Sequence, residues 1–400
     1  MFENARELLD VLVRWVHLVA GIMWIGNSLL FNWLDRNLVR DQGANDRHLG
    51  RIWLLHSGGF YDVEKKFLAP SEMPRTLHWF KWQAYTTWMT GFLLLTLLYW
   101  TGGATLMIDP GVARLSPGAA VHIGIGVVLG SWIVYDGVWR LLGRFEGVAI
   151  AVSLALLAAL VWGLTHVLSG RAAFIHVGAV LGTCMAGNVA MHIVPSQRKL
   201  VAATLAGKPQ DPRDSAHAKQ RSIHNNYMTF PLLFTMLSNH FSTIYGSSVS
   251  WLLLGILFVG GALVRHWLNV RFTFRAWIPA LSASVFVCVG TVGFFVMKPQ
   301  GGQASAATLP NTPPVAFASV RFILHERCTP CHADHPTIVS NPVAPAAVRF
   351  DTPEEVALWK ERIRARVVVT RSMPLNNRTE MTEEERDTLA RWFVDGAPTQ

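Results

Sequence analysis

Residues 147–168 read GVAIAVSLALLAALVWGLTHVL, twenty-two positions without one Asp, Glu, Lys or Arg. As an α-helix this stretch reaches about 33 Å, enough to cross the roughly 30 Å hydrocarbon core of a bilayer. In lipid a single segment must satisfy its own backbone N–H and C=O groups, so the run reads as a transmembrane helix. On either side, comparable runs lie near residues 10–32, 83–101, 118–138, 172–195, 228–246, 249–268 and 277–297, which makes about eight spans. The sixth, MTFPLLFTMLSNHFSTIYG, is polar for a span and contains Pro231. The first is not a cleavable signal, because Glu3, Glu7 and Asp10 stand where a basic leader would be. Composition agrees: 51% of the 400 residues are hydrophobic, 15% are charged and sixteen are Trp, with a mean hydropathy of +0.30. Those values exclude an ordinary soluble globule. The expected fold class is all-α, a polytopic transmembrane helical bundle over residues 1–297.

The charges between the spans predict topology. Segments 33–81, 139–147, 196–227 and 265–276 hold eight, two, six and three Lys/Arg. Segments 102–117, 169–171 and 247–248 hold one, one and none. The positive-inside rule puts the first set in the cytoplasm and both termini in the periplasm of a bacterial inner membrane. The net charge of +9 then sits mostly in cytoplasmic loops and calls for no nucleic-acid partner.

Near the C-terminus stands Cys328-Thr329-Pro330-Cys331-His332, the CxxCH form of a c-type haem attachment site. Cys328 and Cys331 form the thioethers, His332 is the proximal iron ligand, and Met373 in RSMPLNN is the expected second ligand. A zinc site of Cys328, Cys331, His332 and His335 is disfavoured, because adjacent Cys331 and His332 are hard to aim at one tetrahedral ion. Covalent haem attachment occurs outside the cytoplasm, in agreement with the charge argument. Residues 298–314, KPQGGQASAATLPNTPP, read as a flexible linker. Residues 315–400 then form a small class I cytochrome c domain with helices near 315–327, 352–367 and 382–395, opened by the cap-like TPEE and TEEE. Cys184 and Cys288 fall inside spans and read as packing residues.

Two cytoplasmic loops are richer than connectors need. Loop 33–81 contains HSGGFYDVEKKFLAPSEMPRTLHWFKW, and loop 196–227 ends in RSIHNNY. An interfacial belt accounts for Trp79, Trp82, Lys81 and Arg221, but not for His56, His78, His224, Asn225 and Asn226. Depth separates the other histidines. His17, His122, His176 and His240 lie in spans near the periplasmic side, with His166 at a span end, while His192 and His266 join the cytoplasmic group. Intramembrane ionisable residues are functional candidates. The periplasmic tier reads as ligands of a bis-His b-type haem, His17 pairing with one of the other three. Interhelical hydrogen bonding or a non-haem metal are the alternatives.

RWVHLVAGIMWIGNS in the first span, GGFYDVEKK and LHWFKWQAYTTW around the first loop, RSIHNNYMTFPLLFTMLSNHF and the CTPCH…RSMPLNN order together resemble the bacterial membrane-bound urate hydroxylases, over essentially the whole chain. Proteins of that family join a membrane urate-oxidising domain to a C-terminal cytochrome c. The resemblance implies conversion of urate and water to 5-hydroxyisourate, with electrons passing to the haem and then to a soluble cytochrome c or a terminal oxidase. A flat anionic purine needs a cation, amides for its edges, an aromatic face and a base near neutrality. Lys81 or Arg221 supplies the charge; Asn225 and Asn226 read the edges; Trp79 or Tyr227 stacks; His224, His78 or Glu64 is the base. A membrane b/c cytochrome handling quinol electrons is the competing function, and it leaves HNNY and GGFYDVEKK unexplained.

Overall fold

The computed structural model describes residues 2–40, 47–101, 104–209, 211–297, 313–338, 343–369 and 371–399. In chain order the helices are α1 (Phe2–Asn37), α2 (Lys81–Leu95), α3 (Pro117–Leu142), α4 (Glu146–Thr165), α5 (Gly170–Asn188), α6 (Val194–Leu205), α7 (Pro212–Leu237), α8 (Ser242–Tyr245), α9 (Ser250–Val270), α10 (Trp277–Met297), α11 (Phe317–Arg327), α12 (Pro353–Ile363) and α13 (Glu383–Val394). Among the described residues six helical stretches are long and apolar enough to cross a membrane: Leu8–Asn37, α3, α4, Gly170–Leu205, α9 and α10. The most apolar window of α10 has a mean hydropathy of 2.1 and no buried residue. In water so large an apolar surface would drive association, whereas in lipid it is the ordinary state of a span.

Two of the eight expected spans are not among these six. α2 gives way to a π-helical turn at Thr96–Trp100. The expected span 228–246 divides into the end of α7, a 3-10 turn at Ser238–His240 and the four-residue α8. Pro231 cannot donate to the helical ladder, and Ser238, Asn239 and His240 interrupt the apolar run soon after it. The wholly α-helical expectation is also corrected. Strands β1 (His48–His56) and β2 (Gly59–Lys66) form an antiparallel hairpin with His56 paired to Gly59. Its two-residue turn, Ser57-Gly58, has φ values of 49° and 76°, the doubly positive conformation that suits a tight hairpin.

The chain forms two compact units. The first comprises residues 1–95, 179–232 and 261–282. Polar groups join its helices: His17 Nδ1 donates to the Thr87 carbonyl (2.9 Å), Asn27 Nδ2 to Gln83 Oε1 (2.9 Å) and Trp88 Nε1 to Thr183 Oγ1 (3.1 Å). Such bonds hold helices together in lipid, which provides no hydrophobic drive for their association.

The second unit comprises residues 96–178, 233–260 and 283–400. Small residues permit close approach within it: a methyl at Gly170 would meet the Tyr245 carbonyl, and one at Gly178 would meet Thr235 Oγ1. Residues 315–400 belong to this unit, while most of the expected linker, 298–312, lies outside the described residues. Thr352 and Thr382 each cap their helix reciprocally with Glu355 and Glu385, as the sequence pattern predicts. α11, α12 and α13 enclose Val320, Leu324, Val356, Ile363, Leu389 and Trp392. Trp392 is fully buried and its indole N–H donates to the Pro398 carbonyl at 2.8 Å. Trp392→Ala is expected to destabilise this part by about 3–5 kcal/mol, read as a lower midpoint of thermal unfolding in detergent.

Candidate functional site

Polar side chains gather inside the first unit, on α5, α7 and α9. On α7, Arg221, Asn225 and Thr229 recur every four residues and share one buried face. Asn225 is spent on holding helices: it accepts from Asn188 Nδ2 at 2.8 Å and donates to the Met185 carbonyl at 3.0 Å. Asn226 is oriented by α9, since its Oδ1 accepts from both Arg265 Nε (2.8 Å) and Asn269 Nδ2 (2.7 Å). That double bond fixes which end of the amide is oxygen. Arg36 donates to the backbone carbonyl of Asn269, and Tyr227 Oη is 2.9 Å from His266 Nδ1.

Two features make this layer unusual. Arg221 and Arg265 are 0% and 5% exposed, and no carboxylate pairs with Arg265 among the described residues. A buried cation without a counter-charge is costly. Moreover, Asn269 Oδ1 is buried and accepts no hydrogen bond, which is also costly. A cation and an idle acceptor side by side suit an anionic ligand that carries N–H donors.

Three histidines adjoin the layer. His217 Nε2 and His192 Nδ1 lie 2.9 Å apart. His224 is half-buried, and burial, reinforced by the positive fields of Arg221 and His217, pushes its imidazole down to about 4. His224 is therefore neutral at physiological pH, and without a ligand it is a weaker base than the near-neutral one expected for the reaction. Its folded pKa lies below the usual 6.5, so the unfolded chain binds more protons between about pH 4 and 6.5. Stability must fall as pH drops through that window. His224→Asn should remove part of this loss, so the fall in melting temperature between pH 7.5 and 5 should be smaller than in the parent protein.

Not every residue singled out in the sequence belongs here. Glu64 lies on β2, where partial burial raises its carboxyl but Lys66 and His48 outweigh that and hold it low; His48 Nδ1 is 2.5 Å away. His78 is exposed against Phe80, and Lys81 lies between the Trp79 and Trp82 rings. Conversely, sequence reading passed over Asn188, His217, Arg265 and Asn269. Arg265 and Asn269 carried the signal of polar residues within an apolar helix. The reassignment of Asn225 is testable. Asn225→Leu should cost about 1–3 kcal/mol by stripping buried partners, read as a lower melting temperature.

In the second unit the CxxCH residues follow α11. Cys328 is buried in the helical core and Cys331 is half-buried. His332 Nδ1 donates to the Val348 carbonyl at 3.0 Å, which leaves the Nε2 lone pair for a metal, the usual arrangement of a ligating imidazole. The Met373 amide donates to the Arg366 carbonyl (3.0 Å) and its carbonyl accepts from Arg386 Nη1 (2.9 Å), while its side chain packs on the Trp392 core. This donor set fits a c-type haem.

The histidines expected within spans fit a b-type haem less well. His176 is fully buried with both ring nitrogens engaged: Nδ1 donates to the Ala172 carbonyl (2.8 Å) and Nε2 accepts from Trp100 Nε1 (3.0 Å). A methyl at Gly124 would come within 2.8 Å of both His176 Nε2 and Trp100 Nε1, so a macrocycle has no room there. His122 and His240 are exposed, with His122 Nδ1 bonded to the Gly118 carbonyl at 2.6 Å. His17 packs on Gly91 in the other unit. For His17 and His176 the interhelical hydrogen-bond alternative describes the structure.

Comparison with known proteins bears on the membrane part. No curated protein and no solved structure matches the chain. Residues 3–296 match the model of one family, described as urate oxidase N-terminal. That stretch includes every residue of the buried Arg–Asn layer and ends before the CxxCH helices. By this match the chain belongs to the urate oxidase N-terminal family.

Proposed function

We propose that the chain is a membrane urate hydroxylase whose substrate binds at the Arg221–Asn226–Arg265–Asn269 layer. The observation that carries the proposal is Arg265, buried with no carboxylate partner among the described residues, beside an Asn269 Oδ1 that accepts no hydrogen bond there. Family membership supports urate as the substrate. Urate would supply an anionic edge for the Arg265 guanidinium and a ring N–H for Asn269. The reaction is urate plus water giving 5-hydroxyisourate, two protons and two electrons. One C–O bond forms at C5 of the purine and the attacking water loses a proton, for which neutral His224 is the acceptor.

Residues 315–400 are proposed as the cytochrome c domain. Cys328 and Cys331 would hold the haem covalently, with His332 and Met373 as axial ligands. When bound, the haem supplies a one-electron acceptor, so each urate requires two transfers onward to a soluble cytochrome c or terminal oxidase. The chain is placed in the bacterial inner membrane with both termini periplasmic, on the distribution of Lys and Arg.

An anaerobic optical titration of the detergent-purified protein tests the whole reading. Urate should raise a c-type alpha band in proportion to the urate consumed, and no peroxide should form. Reduction by dithionite but not by urate would reject urate as donor and turn attention to quinols.

A further inference from the structure

A linker of Gly, Ala and Pro suggests a C-terminal domain that moves freely, yet the contacts inside the second unit hold it in place. Asn376 Nδ2 donates to the Thr105 carbonyl at 3.1 Å. Arg366 Nη1 donates to Ser242 Oγ at 3.3 Å. Arg386 donates to the Val367 and Met373 carbonyls, at 2.9 Å each, and its charge also acts on Asp109. Burial raises the Asp109 carboxyl, while the Gly111 amide and Arg386 oppose that rise. Each group on the domain side lies in residues 364–369 or 371–377, or is bonded to them, and Met373 is among them.

The opposing surface is built to be firm. Ser169 Oγ donates to the Leu106 carbonyl (2.7 Å) and the Ser169 amide to the Met107 carbonyl (2.8 Å), which tie the 104–109 loop to the start of α5. Ser242 opens α8, whose Tyr245 carbonyl lies against Gly170. Arg171 Nε reaches Asn239 Oδ1 at 3.1 Å just before α8. The loop and the Ser242 turn therefore share one anchor at the start of α5.

We propose that the 104–109 loop and the Ser242 turn form a docking seat for residues 364–369 and 371–377, Met373 among them. The C-terminal domain is then held with this edge against the membrane domain, and a soluble electron acceptor must approach a different face. The contact stands on the chain's own residues, whereas its part in delivering electrons rests on the haem reading above.

Cross-linking separates the two. In the haem-loaded full-length protein, Thr105→Cys combined with Asn376→Cys should form an intramolecular link with a short bismaleimide, read by peptide mass spectrometry. A second pair, Ser242→Cys with Arg366→Cys, should do the same. Thr105→Cys paired with Leu358→Cys, at an exposed position of α12, should link several-fold less. Adding Asp109→Lys should reduce the first link several-fold while haem remains covalently attached. Equal yields for seat and control pairs, or links only between molecules, would overturn the seat. A linked protein that dithionite reduces but urate no longer does would overturn the delivery role alone, and full urate reduction in the linked state supports it.

Discussion

Arg265→Gln should lower kcat/KM for urate by about 100- to 1,000-fold, the usual cost of removing one preorganised donor from a dry site, without lowering stability. Glutamine keeps a donor for Asn226 Oδ1, which also retains its bond from Asn269 Nδ2, but it cannot offer a charge. In the parent protein Arg265 is 5% exposed and pairs with no carboxylate among the described residues, so its burial is a standing cost that an anion would relieve. Removing it should leave the melting temperature in detergent unchanged or higher. A residue placed there for structure would behave in the opposite way, losing stability first and activity as a consequence. The two measurements together decide the matter: a lower melting temperature with proportionate loss of active enzyme would make Arg265 a packing residue. Urate itself should raise the melting temperature of the parent protein by mass action and have little effect on the variant.

The same contrast explains what was legible in the sequence. CTPCH is proposed as a haem site on spacing alone, because thioether chemistry would fix the separation of Cys328, Cys331 and His332 whatever the surrounding fold. RSIHNNY was legible as a place, since an interfacial belt needs no His-Asn-Asn, but the roles inside it were not. Asn225 and Asn226 are neighbours in sequence, yet one clamps α5 to α7 and the other is held by α9. Only partners about 40 residues away make that difference. Arg265 was counted as a topology signal because it sits at the end of an apolar run, where Lys and Arg commonly set orientation, and Asn269 beside it was passed over. His176 was read as a candidate haem ligand, with an interhelical hydrogen bond as one alternative. Its Trp100 partner is 76 residues away, and no local pattern announces the pair. The hairpin was written in IWLLH-SG-GFYDV, whose tight turn and alternation are strand signals. It was missed because the polar content of the loop drew the reading toward chemistry.

Cys328→Ala combined with Cys331→Ala should abolish covalent haem, so that a denaturing gel shows no haem stain. Urate oxidation with soluble cytochrome c as acceptor should fall to background. Under the proposed function, hydroxylation of urate by water releases two electrons, and the side chains of the Arg–Asn layer include no redox-active group to take them up, so turnover should stop when the proposed one-electron acceptor is lost. Binding should survive, because the Arg–Asn layer belongs to the other compact unit: equilibrium dialysis should give an unchanged Kd for urate. Residues 315–400 should become protease-sensitive, since so short a segment buries little core of its own without the macrocycle. Met373→Leu provides the graded case. It keeps both thioethers and the His332 bond to Val348, so haem stays attached and urate still reduces it, at a rate changed by the altered potential. If the double variant oxidised urate at the parent rate with an artificial acceptor, the electrons would leave from the membrane domain itself. The C-terminal domain would then be a downstream carrier and not the acceptor that turnover requires.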